Sequence, residues 1–444
     1  MKYKPNTYIN TTEISQLNGV PIYLEDITDA CLRGKLNLFL QGDTGSGKTQ
    51  LAKDMMQYFG NKAMFILGRN DMDTRELFQQ IKLGRLAMSK PAYAPEPLVD
   101  PISGNVQWHY LQMTETGVII PKPITEDQAM RVRKTLEGIY SSTSQLKELT
   151  DKINYNLIVV DELPNCVSAV RAQLFNLFDG FIELDGKTYP IGSDYCVGIA
   201  TGNLGQEFTE SSNELGRALK DRMHVIVDVD HYFPKPIDLL EILSRDRNPR
   251  VSFISGLEAI ANDFHAKHKA LSEKGIPFEK YLIVNYLMYA LDHSEAGSKR
   301  KMKSGWTSKI EGHEAGSDAA LVKAISPRAA KSILTLSQAL DEISTEKGAQ
   351  SQDHFESMML AFKLASAHSG IMNPALVNAN FDGDNYKAID SVIQATKGQF
   401  EQKKDDIAAA FTMLQEGNAK KKVLDRFSGR WEFMKDLIEG MSKK

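Results

Sequence analysis

Short apolar runs separated by amphipathic stretches organise roughly the first half of the chain, after which the pattern becomes helical, interrupted by a polar stretch at 294–318. Runs of four or five apolar residues closed by turn residues are what buried parallel strands look like, and the amphipathic stretches between them read as crossover helices. Leu36-Asn37-Leu38-Phe39-Leu40 predicts one strand. Residues 61–80 predict another, followed by a helix capped near Asp73 and Thr74, and Leu157–Val160 and Tyr195–Asn203 predict two more. "MHVIVDV" is also strand-like. Pro234 and Pro236 end this regime. Beyond them, "PIDLLEILSRD", residues 253–275, "FEKYLIVNYLMYALDHS" and "SQDHFESMMLAFKLASAHSG" all carry apolar residues at helical spacing. The expected fold class is therefore α/β. A core of parallel sheet flanked by helices spans residues 1–232, an all-α lid spans 233–370, and a helical C-terminal extension of two or three helices spans 371–444.

Composition narrows the class. A chain of 444 residues is long enough for two or three domains. Its 53 basic and 57 acidic side chains leave a formal charge of -4, so no large field attracts nucleic acid or an anionic membrane. The three cysteines, Cys31, Cys166 and Cys196, lack CxxC spacing and sit in apolar surroundings, which points to a reducing, cytoplasmic compartment without a disulfide framework or a zinc site. No apolar run is long enough to span a membrane, and the N-terminus lacks a signal-peptide core.

The chemistry is concentrated after the first strand. Gly42-Asp43-Thr44-Gly45-Ser46-Gly47-Lys48-Thr49 fits GxxxxGK[ST] at every fixed position and sits between a strand and the helix that opens with Thr49-Gln50. Glycines let the loop curl so that successive N–H groups point at phosphate oxygens, and the helix N-terminus adds its positive end. Residues Gly42 to Gln50 are thus the candidate nucleotide cradle, with Lys48 reaching the β/γ-phosphates and the Thr49 hydroxyl facing Mg²⁺. A metal-holding carboxylate and a base must come from elsewhere. "LIVVDE" supplies Asp161 for the Mg²⁺ shell and Glu162 to activate water, a role that separates hydrolytic enzymes from kinases. Asn203, at the carboxyl end of the next strand, is where a side chain can meet the γ-phosphate or the lytic water.

These residues resemble the AAA+ ATPases, and most closely the MoxR branch of the helix-2-insert group, over about residues 20–370. The run 171–203 is similar to the MoxR helix, hairpin and sensor-1 strand. "ELGRALKDRMHVIVDVD" resembles the segment carrying that family's arginine finger, which places Arg222 in that role with Arg217 as the alternative, and "AISPRAAKSIL" resembles the sensor-2 segment, which places Arg328. Arginine forks to phosphate oxygens and is always charged, so a finger lent across a subunit boundary would stabilise charge on the γ-phosphate. Ser326 and Pro327 suit the cap and first turn of a helix, which would put Arg328 where it can face a nucleotide. Two departures stand out. The loop reads "GDTGSGKT" in place of the family's "GPPGVGKT". The stretch between Lys48 and Asp161 is far longer than a compact core needs, so an enlarged insert is expected at about 85–153. Its Trp108, His109 and Tyr110 could pack a local mini-core or engage a client.

The resemblance implies a Mg²⁺-dependent ATPase that forms a homo-oligomeric, hexameric ring and acts as a protein-remodelling chaperone, with a separate von Willebrand factor A type partner. The alternative is a nucleic-acid-associated AAA+ motor of the restriction or loader type. Its pore hairpin should be basic, whereas "FIELDGKTYP" carries only Lys187 against Glu183 and Asp185. A run "KRKMK" at 299–303 leaves contact with an acidic partner or nucleic acid open. The residues themselves do not choose between adenine and guanine.

Overall fold

The computed structural model describes residues 7–69, 78–81, 95–101, 103–113, 119–140, 147–166, 168–184, 187–203, 220–245, 258–291, 321–415 and 421–441. Five short strands form the central sheet: β1 (Leu38–Gln41), β2 (Ala63–Leu67), β3 (Leu157–Asp161), β4 (Val197–Gly202) and β5 (Val225–Asp228). Their spatial order is β5-β1-β4-β3-β2, and every pairing is parallel. All residues of β1, β3 and β4 are buried, as central strands covered on both faces must be. Because the strands are parallel, all their carboxyl ends lie at one rim, and the residues that follow them meet there.

Three helices of the core matter for the site: α1 (Leu24–Gly34), α2 (Lys48–Met56) and α3 (Ser168–Phe178). A hairpin, Glu13–Leu17 with Val20–Tyr23, precedes α1 and turns on Asn18 and Gly19. Both turn residues have positive φ, 53° and 79°, the conformation a two-residue hairpin of this hand requires.

After the core the chain is helical. α4 (Pro236–Ser244), α5 (Glu258–Glu273), α6 (Phe278–Asn285), α7 (Pro327–Glu346) and α8 (His354–Ser366) follow. The extension contributes helices at Pro374–Phe381, Asn385–Gln402, Lys404–Gln415, Lys421–Leu424 and Phe433–Met441, more and shorter pieces than its periodicity suggests. Turn residues such as Asp382-Gly383 break what reads in sequence as longer helices. One hydrophobic cluster runs from Leu38 and Val159 in the sheet through Leu336 and Phe362 to Ile389, Trp431 and Ile438. Arg33, 1% exposed, is held within α1 by Asp29 at 2.8 Å and ties α1 to α7 through Glu346 at 2.6 Å.

The described residues fall into two units, one drawn from residues 1–72, 154–182 and 190–444, the other from 73–153 and 183–189. In the second, strands Glu96–Val99, Val106–Met113 and Ile119–Ile124 make an antiparallel sheet, followed by a helix at Glu126–Tyr140. Arg133 of that helix lies 4.9 Å from the Trp108 ring, so Trp108 serves the local packing of this unit. Gln79–Ile81 forms a strand with Lys147–Leu149 where a helix was expected. The cap residues Asp73 and Thr74 and the "KRKMK" run lie outside the described residues. Cys31, Cys166 and Cys196 are buried and unpaired. Among the described residues no helix is long and apolar enough to cross a membrane.

Candidate functional site

The glycine loop leaves β1 at Gln41 and enters α2 at Lys48. Gly42, Gly45 and Gly47 have φ of 153°, 85° and 90°, where side chains are rarely tolerated. Two of them also lack room. A Cβ on Gly42 would meet Val229 Cγ2 at 2.7 Å, and one on Gly47 would meet the Tyr8 ring at 2.8 Å. Tyr8 is held there because Asp54 of α2 accepts from the backbone N–H of Thr7 at 2.8 Å and of Tyr8 at 2.5 Å. Gln50 donates to the Thr7 hydroxyl, so its side chain braces this N-terminal segment. The backbone of 42–48 is thereby fixed from both sides before any ligand arrives.

Lys48 is folded back onto the loop. Its Nζ donates to Gly42 O at 2.8 Å, Asp43 O at 2.6 Å and Ser46 Oγ at 3.3 Å. Burial pushes its pKa below the usual lysine value, against the charges of Asp230, Asp43, Asp161 and Asp228, which pull it up. A cation held only by neutral acceptors gains when phosphate oxygens replace them.

The acidic pair lies beside the loop. Thr49 Oγ1 donates to Asp161 Oδ1 at 2.9 Å, and Thr201 of β4 donates to the same oxygen. Glu162 adopts a left-handed conformation, φ 56°, uncommon for a residue with a side chain. Its N–H donates to Thr201 Oγ1 at 3.2 Å and its carboxylate accepts from Asn165 Nδ2 at 2.8 Å. Asn203 Nδ2 donates to Thr44 Oγ1 at 3.2 Å. The cradle, Asp161, Glu162 and Asn203 thus meet at one rim of the sheet. A hydroxyl and a carboxylate oxygen in contact are a hard-donor pair of the kind Mg²⁺ takes while keeping several waters, so Thr49 and Asp161 fit that ion. Thr201 is a contributor the sequence reading passed over; its signal was a hydroxyl inside a wholly buried strand.

Arg222 and Arg328 stand at the other rim. Val225 pairs with Leu38 at the start of β1, whereas the cradle follows the end of β1, so a strand of about 13 Å separates the two. Arg222 Nε sits 2.9 Å from Asp179 Oδ2, its guanidinium lies 4.8 Å from the Phe175 ring, and its carbonyl accepts from Asn37 Nδ2 at 3.0 Å. Arg328, in the first turn of α7, lies 3.4 Å from Asp221 Oδ2. Ser326 caps α7 by accepting from Ala329 N at 3.0 Å, and its hydroxyl donates to Asp221 Oδ1 at 2.8 Å. The cap is as the sequence predicts, yet within the chain it carries Arg328 to the rim of Arg222 and away from the cradle. His224 lies between, accepting from Asn37 N at 2.8 Å, and burial, aided by Arg328, lowers its pKa to about 4. Arg217 lies outside the described residues.

A five-stranded parallel sheet in this order, with a glycine cradle and an acidic pair at its carboxyl rim and a helical region beyond, defines an AAA+ domain, an ATP-hydrolysing P-loop enzyme. Residues 37–223 match the model of the AAA domain of the dynein-related subfamily. Among solved structures the chain is similar to a proposed ATPase from Cytophaga hutchinsonii at 13% identity, with a TM-score of 0.48, over 84% of this chain and 88% of that one. No curated protein matches it.

Proposed function

We propose that the protein is a Mg²⁺-dependent ATPase whose sites are completed between copies arranged in a ring, and that it uses hydrolysis to remodel a protein client. The observation that carries this reading is the separation of Arg222 and Arg328 from the cradle of their own chain. Their place at the opposite rim supports a role toward a triphosphate held by another copy.

Within one site the loop N–H groups of 45–49 bind the phosphates, and Lys48 exchanges the carbonyls of Gly42 and Asp43 for phosphate oxygens. Thr49 and Asp161 would hold Mg²⁺, which when bound neutralises charge on the β- and γ-phosphates. Glu162 takes the proton of the attacking water, and Asn203 orients that water or the γ-phosphate. Arg222 and Arg328 from the neighbouring copy stabilise the charge that builds on the transferred group.

A protein client is favoured by the insert. Its first hairpin exposes Leu98, Val99 and Val106 at 56%, 60% and 58%, and the stretch 96–106 holds no lysine or arginine. Apolar exposure without cations suits a polypeptide better than a phosphate backbone. The resemblance to MoxR proteins adds the expectation of a hexameric ring and of a separate von Willebrand factor A type partner.

The test is subunit mixing. Arg222→Ala and Lys48→Ala chains, each inactive alone, should recover a measurable part of wild-type turnover when combined, because each repairs the other's defect across a shared site. Light scattering should show mass rising with ATP and Mg²⁺. A monomer that hydrolyses ATP at the full rate would overturn the reading.

A further inference from the structure

The end of β5 leans on the start of the cradle. Val229 N donates to Gln41 O at 2.9 Å, and the Asp230 carboxylate accepts the N–H of Asp43. Asp228 organises this turn: its Oδ1 accepts from Asp230 N at 3.0 Å and His231 N at 3.4 Å, and its Oδ2 accepts from Gln41 Nε2 at 3.2 Å. What fixes Asp228 comes from the C-terminal helices. Its own N–H donates to Tyr386 Oη at 3.1 Å. The Gln41 amide also lies 3.0 Å from His368 Nδ1, and Asn385 Nδ2 lies 3.4 Å from the same nitrogen. With two amide donors on it, Nδ1 is the acceptor and the ring proton sits on Nε2.

Tyr386 is 3% exposed and opens the helix Asn385–Gln402, capped by Asp384, which accepts from Tyr386 N and Lys387 N at 3.0 Å each. Its ring packs 4.4 Å from His231, 5.4 Å from Tyr232 and 4.9 Å from His368 between centroids. Two buried polar atoms of this cluster, Gln41 Oε1 and His368 Nε2, have no hydrogen-bond partner among the described residues, and the Tyr232 hydroxyl meets that of Tyr386. A fully satisfied network would be rigid; an under-bonded one can re-pair at small cost. It also lies between the loop that would hold phosphate and helices outside the matched AAA region.

We propose that Tyr386 and His368 are positioning residues for the phosphate loop, acting through Asp228 and Asp230, so that filling the cradle and the packing of helix 385–402 are coupled. Coupling of this kind is reciprocal. Loosening the helix should weaken nucleotide binding, and binding nucleotide should protect the helix.

The test uses the full-length protein and ADP. Tyr386→Phe keeps the ring and removes the hydroxyl that accepts from Asp228 N–H and meets Tyr232 Oη. It should raise the Kd for ADP and the KM for ATP about fivefold, with kcat and the melting temperature of the nucleotide-free protein little changed. Hydrogen exchange on wild-type protein should slow on ADP binding at 384–392 as well as at 42–49, and in Tyr386→Phe at 42–49 alone. A purely structural tyrosine would lower the melting temperature and leave the Kd alone, which would overturn the proposal. So would exchange at 384–392 indifferent to ADP in the wild-type protein, a result available even if the variant does not fold.

Discussion

The two rims of the sheet handle charge in opposite ways. At the carboxyl rim one chain supplies everything: backbone N–H groups of a preformed loop, a lysine held by neutral carbonyls, and hydroxyls shared with Asp161. At the amino rim two arginines rest on carboxylates, Arg222 on Asp179 with 23% of its side chain exposed and Arg328 on Asp221 with 42% exposed. Ion pairs this open are worth about 0–1 kcal/mol, so the arginines can leave them readily. An arginine that stabilises a phosphoryl-transfer transition state is worth roughly 10³-fold or more in rate, about 4 kcal/mol. Arg33 shows what a structural arginine looks like here, 1% exposed and gripped by two carboxylates. On the proposed reading, exposure and an exchangeable partner, more than the presence of an ion pair, are what set Arg222 and Arg328 apart from Arg33.

The sharpest test of the carboxyl rim is Lys48→Ala. Removing the only loop cation that touches Gly42 and Asp43 should weaken ATP and ADP binding by at least about a hundredfold, read by fluorescence titration, while the loop's glycines keep the fold. If binding survives, the rim does not work as a phosphate site. Next comes Arg222→Ala at the other rim, expected to lower kcat about 10³-fold with the ADP Kd unchanged. An ADP Kd that moved as far as kcat would mean that the two rims are not separate. Glu162→Gln should follow, with about a 10²-fold loss of turnover and nucleotide binding kept, since only proton transfer is removed. A variant still turning over at the wild-type rate would take Glu162 out of the chemistry.

What the sequence made legible was local. The glycine cradle, the strand before it, the acidic pair and the Ser326 cap each depend on neighbours within a few positions, and each could be read from spacing alone. What it hid was long-range. Arg328 was read correctly as a first-turn residue of its helix, but its rim is decided by a contact with Asp221, more than a hundred positions away. The strand at Gln79–Ile81 exists because Lys147–Leu149 pairs with it, while its own residues suit a helix as well. The support of the cradle by Asp228, Asp230 and Tyr386 likewise joins residues whose sequence neighbours give no sign of it.

The smallest expected effect compares the rims through their histidines. His224 at the amino rim and His368 at the carboxyl rim are both buried and neutral, and burial lowers each pKa from 6.5 to about 4. Burial also lowers that of His268, whose Nδ1 donates to Arg33 O at 3.1 Å. Between pH 4 and 6.5 the unfolded chain binds protons that the native state refuses, so stability falls as pH drops through that window and is fully present above it. At pH 5.5 each of the first two should cost about 1 kcal/mol relative to pH 7.5, read as a lower urea midpoint. Replacing either with glutamine should remove part of that slope. If His368→Gln flattens it and His224→Gln does not, the carboxyl rim is the one that opens under acid, and the amino rim keeps its arginines in place independently of the cradle.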